Sequence, residues 1–132
     1  MAAPANGMPV PPEAALDPGL PIIDPHHHLR DRGGLRYLLA EYLEDLRSGH
    51  CVKATVAVET GVHYRQAGAV ALQPVGETEF LAGIAAQCVA GVVALPHVAA
   101  GIVGYADLRL GEGVAPVLDA HIAAGDGRFR GV

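Results

Sequence analysis

Tryptophan is absent from the 132 residues, and there are only two phenylalanines and four tyrosines. Ala, Val, Leu and Ile must therefore do most of the packing. Two cysteines, Cys51 and Cys88, are too few and too far apart for a disulfide scaffold, and two reduced, buried thiols are the simpler expectation. Nine Lys and Arg against fourteen Asp and Glu give a formal net charge of -5, so no basic patch is at hand to neutralise phosphates and nucleic acid is excluded as the default partner. No apolar stretch reaches membrane-spanning length without a Gly, a Pro or a charge. The N-terminus lacks the cluster of cations and apolar run of a standard secretory signal. The expectation is a soluble cytoplasmic protein with no membrane partner.

What is present is a chain rich enough in apolar residues to fold. Hydrophobic residues make up 51% and charged residues 17%, which excludes wholesale disorder and fits one α/β domain with a real core. Residues 1–20 carry five prolines among Ala and Gly and read as a flexible or polyproline-like tail. From Pro21 onward the pattern alternates. Ile22 to His28 reads as a strand. Asp31-Arg32-Gly33-Gly34 reads as a turn, and Leu35, Leu38, Leu39, Tyr42, Leu43 and Leu46 have helical spacing. Cys51 to Thr60 reads as a strand buried on both faces. Pro74 to Glu79 reads as a helix start with acidic residues at its positive pole. The run from Val92 to His97 is ambiguous. Ala99 to Leu108 reads as a third strand, Val114 to Ile122 as a helix, and Arg128 to Val132 as a fourth strand in which the chain stops. Alternating strands and helices predict a parallel α/β fold.

The chemistry concentrates in Ile22-Ile23-Asp24-Pro25-His26-His27-His28. In an extended strand, side chains alternate, so Asp24, His26 and His28 are expected on one face and His27 on the other. Two imidazoles on one face at a strand end are half of a divalent-metal site, with Zn²⁺ the usual occupant, and Asp24 is placed to orient a ligand. An incidental histidine cluster is the alternative. Glu59 and Asp107 fall at C-terminal strand ends, where parallel α/β enzymes put their active groups, although solvated carboxylates are as simple an account. Tyr64 and Arg65, in the loop after the second strand, can line the mouth of such a site. Arg128 and Arg130 share one side of the last strand and need anions, either a substrate carboxylate or a neighbouring side chain. His121 lies on an apolar helix face and reads as a packed core residue. No Gly-x-Gly-x-x-Gly, Gly-x-x-x-x-Gly-Lys or Gly-x-Ser-x-Gly sequence follows a strand, which removes nucleotide-phosphate loops and the serine-hydrolase elbow.

Taken with their order, these stretches resemble a known family. Ile-Ile-Asp-Pro-His26-His27-His28-Leu-Arg-Asp is similar to the first-strand motif of the amidohydrolase-related (amidohydrolase 2) metal-dependent hydrolases. Val-Glu-Thr-Gly-x-x-Tyr-Arg at 58–65, Pro-Val-Gly-Glu-Thr-Glu-Phe at 74–80, Ala-Gly-Ile-Val-Gly-x-Ala-Asp-Leu at 100–108 and Gly-Arg-Phe-Arg-Gly-Val at 127–132 continue the likeness to the last residue. The resemblance implies a partial (β/α)₈ barrel, roughly its first four strands, over residues 21–132, with the predicted lactonases as the nearest branch. It implies a divalent metal, often Zn²⁺, that activates water against a lactone, ester or amide carbonyl of a small, sometimes carboxylated substrate. His26 and His28 match the family's first-strand ligands, and Arg130 matches an arginine near its substrate region. Arg30 stands where the family usually has Trp, and Tyr105 where it commonly has His.

A complete barrel takes about 250 residues, so the later ligands and the catalytic Asp of such an enzyme have no counterpart here. The expectation is an N-terminal piece with little hydrolase activity of its own. The competing expectation is a small non-enzymatic α/β domain that self-associates through open sheet edges.

Overall fold

The computed structural model describes residues 13–90 and 96–132. Most of the expected tail, residues 1–12, and most of the ambiguous run after Val92 lie outside the described residues. Residues 13–20 contain turns and bends but no helix or strand.

The elements in chain order are β1 (Pro21–His27), β2 (Arg30–Arg32), β3 (Leu35–Tyr37), α1 (Leu39–Leu46), β4 (Cys51–Val58), α2 (Val75–Ala90), β5 (His97–Val103), α3 (Ala115–Ala124) and β6 (Phe129–Gly131). Strands β1, β4, β5 and β6 form one sheet in that order, and all three pairings are parallel. This is the expected mixed α/β arrangement, a four-stranded parallel sheet flanked by helices. Because the strands run the same way and lie side by side in chain order, their C-terminal ends meet along one edge. Val58 is opposite Val103, and Val103 is opposite Gly131.

The core lies between the sheet and its helices. Ala57, Val98, Ala99 and Ile102 from the strands pack with Leu81, Ile84, Ala85 and Cys88 of α2 and with Leu29 and Tyr42. Leu39, Leu43 and Leu46 of α1 pack against the same cluster, so α1 and α2 cover the same face of the sheet. Leu81 and Ile102 are both at most 1% exposed, and each contributes about 1.5–3 kcal/mol of transfer free energy. Along β4, Thr55 and Ala57 point into this core, while Ala54, Val56 and Val58 point to the opposite face and are only half-buried. Ile23, paired with Ala54, is 58% exposed.

The first helix is shorter than its periodicity predicts. Leu35 has helical spacing with Leu38 and Leu39, yet Leu35–Tyr37 forms β3 and pairs antiparallel with Arg30–Arg32. The Gly33-Gly34 turn decides this. Both residues are left-handed, with φ of 65° and 81°, as a two-residue type I′ hairpin requires. The helix then starts at Leu39, where the Glu41 carboxylate accepts from the Leu38 N–H at 2.9 Å. The third strand is also displaced. It ends at Val103 rather than near Leu108, and Gly104 lies so close to α3 that an added Cβ would stand 3.0 Å from His121 Cε1.

Candidate metal centre

The centre is built at the C-terminal end of β1. Ile22 pairs with Val52 and Ile23 with Ala54, a first slip on the β4 side, and a second slip follows. Asp24 is opposite Thr55 and His27 opposite Ala57, so three steps on β1 match two on β4. This bulge corrects the simple alternation. Asp24 and His27 turn together toward the helices, while His26 and His28 stay together on the other side.

His26 and His28 converge. Their Nε2 atoms are 3.1 Å apart, and the rings meet edge to face with centroids 4.8 Å apart. His28 Nδ1 lies 2.9 Å from the Val58 carbonyl oxygen of β4. A carbonyl only accepts, so His28 Nδ1 carries the proton and its Nε2 lone pair faces His26, whose Nε2–H donates to it. An ion would have to displace that proton to take both nitrogens. His26 and His28 are the residues that would hold a divalent ion here, through their Nε2 atoms. Both side chains are exposed. The donor set fits half of a site: among the described residues no group of three His, Cys, Asp or Glu comes together.

No protein-family model, curated protein or solved structure matches the chain.

His27 has a structural position. It is 7% exposed, stacks on Tyr42 with centroids 4.1 Å apart, and brings Nε2 within 3.0 Å of Thr55 Oγ1. Burial is the main cause that lowers its pKa to about 4. The Asp24 carboxylate accepts from the Tyr42 hydroxyl at 2.6 Å and from the His26 backbone N–H at 3.1 Å. Asp24 therefore fixes the His26 main chain and Tyr42 rather than an imidazole. Burial, followed by this carboxylate, raises the Tyr42 pKa. A cleft of about 420 Å³ opens here, lined by Asp24, His27, His28, Arg30, Leu35, Tyr37 and Tyr42.

The other expected residues lie apart from this pair in their bonding. Tyr64 donates to Glu59 at 3.0 Å, and burial together with that carboxylate raises its pKa. Arg65 forks onto Glu79 through Nε and Nη2. Arg130 is exposed, and its Nη1 donates back to the Gly127 and Phe129 carbonyls. Arg128 pairs with Asp126. Asp107 is occupied by the backbone and guanidinium of Arg109. His121 is fully buried, as its apolar face predicts, with Nδ1 2.8 Å from Thr78 Oγ1 and Nε2 3.0 Å from the Tyr105 carbonyl.

Two contributors escape sequence reasoning. Tyr42 reads as one more apolar position of a helix stripe, yet its hydroxyl and ring hold Asp24 and His27. Glu77 reads as a helix-start acid, but it is 1% exposed and accepts from Thr60 N, Thr60 Oγ1 and Gly61 N at 2.8–2.9 Å. That carboxylate ties α2 to the end of β4. The Thr60-Gly61 pair after a strand was the available signal, since such turns leave backbone N–H groups seeking an acceptor.

Proposed function

We propose that the chain is the front part of a (β/α)₈ metal-dependent hydrolase of the amidohydrolase or lactonase type, with His26 and His28 as metal ligands. The observation that carries this is the Nε2 pair at 3.1 Å, with the His28 ring held by the Val58 carbonyl. Parallel strands in unbroken chain order support the barrel, because a singly wound sheet of eight such strands closes on itself. The position at the C-terminal strand edge supports catalysis, since that edge carries the active sites of such barrels.

A divalent ion, Zn²⁺ by donor type, supplies Lewis acidity toward a carbonyl and toward water when bound. The chain's own residues orient the ligands. Val58 fixes the His28 tautomer, Asp24 holds the His26 main chain, and the buried, neutral His27 anchors the strand between them. The cleft beside His28 offers Arg30, Tyr37 and Leu35 to a small carbonyl substrate. Of the expected substrate residues, Glu59, Tyr64 and Arg65 belong to the end of β4 and the loop after it, and Arg130, held through Nη1, keeps Nε and Nη2 for a substrate carboxylate.

Two ligands bind a catalytic ion poorly, three being the norm. The purified chain is therefore expected to bind Zn²⁺ weakly and to hydrolyse lactones and esters at no more than the background rate. Calorimetric titration with Zn²⁺ tests the centre. Binding should vanish in His26→Ala and in His28→Ala and persist in His97→Ala, whose side chain is exposed elsewhere. Binding that ignores His26 and His28 rules the centre out.

A second reading has its own observation. Among the described residues strands β1 and β6 each pair on one side only, which leaves both sheet edges open to a second copy of the chain.

A further inference from the structure

The chain has only nine Lys and Arg, yet three of them, Arg30, Arg32 and Arg36, fall on the β2–β3 hairpin. The register sorts them by face. Arg30 is opposite Tyr37 and Arg32 opposite Leu35, so these four side chains share one face, while Asp31 and Arg36 share the other. On the second face the charges are matched, because the Arg36 guanidinium meets Asp31 at 3.5 Å and Glu41 at 3.1 Å. On the first face they are not. Among the described residues neither Arg30 nor Arg32 makes an ion pair.

That first face looks onto the cleft of about 420 Å³ beside His28, whose lining includes Arg30, Leu35 and Tyr37. The volume falls within the range of small-molecule sites, roughly 300–1,000 Å³. The hairpin is held at its base, since Leu29 is buried in the core and Tyr37 packs against the same cluster. The cleft contains one carboxylate, Asp24, and both of its oxygens are occupied, by the Tyr42 hydroxyl and the His26 N–H. Two guanidiniums against one carboxylate leave one positive charge in excess. His27 lines the same cleft, and its Nδ1 is buried without a partner among the described residues. A polar group brought by a ligand is what such an atom lacks.

A single excess charge suits a monoanion, and the planar guanidinium fork suits the two oxygens of a carboxylate. Arg130, the other candidate for a carboxylate, belongs to β6. It stands three strand spacings from β1, roughly 14 Å across the sheet.

We propose that the β2–β3 hairpin is an anion-binding arm: Arg30 holds the carboxylate of a small monoanionic molecule, Arg32 adds to the field, and Leu35 and Tyr37 carry the molecule's apolar body. That this molecule is a substrate, a carbonyl compound with a carboxylate a few atoms away, rests on the proposed metal centre. The binding of the anion does not.

The test is an NMR titration of the full chain without added metal, using three probes of similar length: monomethyl glutarate, dimethyl glutarate and methyl 4-aminobutanoate. They are anionic, neutral and cationic at pH 7. The anion should bind at least about fivefold more tightly than the other two. Arg30→Gln, at an exposed position outside the core, should cost the anion at least about fivefold and leave the diester unchanged. Arg30→Lys keeps the charge without the fork and should recover part of the loss. Arg47→Gln removes the same charge elsewhere and should change nothing. The arm is overturned if monomethyl glutarate does not bind, if the three probes bind alike, or if Arg30→Gln binds the anion as well as the parent chain. Displacement by equimolar inorganic phosphate overturns the preference for a monoanion, and loss in Arg130→Gln without loss in Arg30→Gln moves the carboxylate to the other arginine. A Zn²⁺ titration keeps the two readings apart. Anion binding without Zn²⁺ binding removes the metal centre and leaves the arm standing, whereas Zn²⁺ binding at His26 and His28 without anion binding removes the arm alone.

Discussion

His121 shows how one side chain ties acid sensitivity to packing. It is fully buried, stacks on Phe129 with centroids 5.0 Å apart, and has both nitrogens engaged. Burial is the main cause that depresses its pKa, Arg65 adds to this, and the bond to the Tyr105 carbonyl opposes it. Since the folded pKa lies below the unfolded value of about 6.5, the full stability is present above that pH. As pH falls further, the unfolded chain takes up a proton that the folded one refuses, and stability declines until the folded pKa is reached. His27 acts in the same sense. The urea midpoint should therefore be lower at pH 5 than at pH 7.5, in a range where carboxylates scarcely titrate. A midpoint that is flat across this range would refute the burial of a neutral imidazole. At this scale the sequence is legible where one residue type meets one environment, as with His121 on its apolar face. It is illegible for Glu77, because a buried carboxylate depends on backbone donors that only the folded loop assembles.

Elements were read well wherever periodicity acted alone and poorly wherever glycine or a bulge intervened. Strand β4 and helices α2 and α3 fall where their patterns place them. The Gly33-Gly34 turn overrides the helical spacing of Leu35, and the slip between Asp24 and His27 overrides strand alternation. The marker of that slip in β1 is Pro25, which lies inside it and has no N–H to give the ladder. Gly76 shows a similar conflict inside α2. Alanine is the better helix former by about 1 kcal/mol. Yet a Cβ at Gly76 would stand 2.6 Å from Arg65 N and 2.7 Å from the His63 carbonyl, both main-chain atoms that cannot rotate away. Overpacking wins: Gly76→Ala should lower stability by about 1–3 kcal/mol, read as a shift of the urea midpoint at unchanged slope. An unchanged or raised midpoint would mean that the loop after β4 yields freely to the helix.

At the scale of the molecule, the described residues form a sheet with helices on one face and two open edges. The alternation of strands and helices made the parallel sheet legible, whereas the strand order was implied only by the family resemblance, because nothing local specifies which edge a new strand joins. Parallel sheets are ordinarily covered on both faces. Ile23, 58% exposed on the edge strand β1, belongs to the uncovered one. Sedimentation should therefore detect concentration-dependent association, which Ile23→Lys reduces by setting a charge on the edge. A monomer at all concentrations would remove the self-association reading. The four tyrosines give the molecule a further property. Tyr37, Tyr42 and Tyr64 donate their hydroxyls to Asp45, Asp24 and Glu59. A carboxylate accepting from a phenol quenches its fluorescence, and no tryptophan is present to mask what is left. Tyr105 alone keeps a free hydroxyl among the described residues, so the ultraviolet emission of the folded chain is weighted toward one ring, just beyond the end of β5.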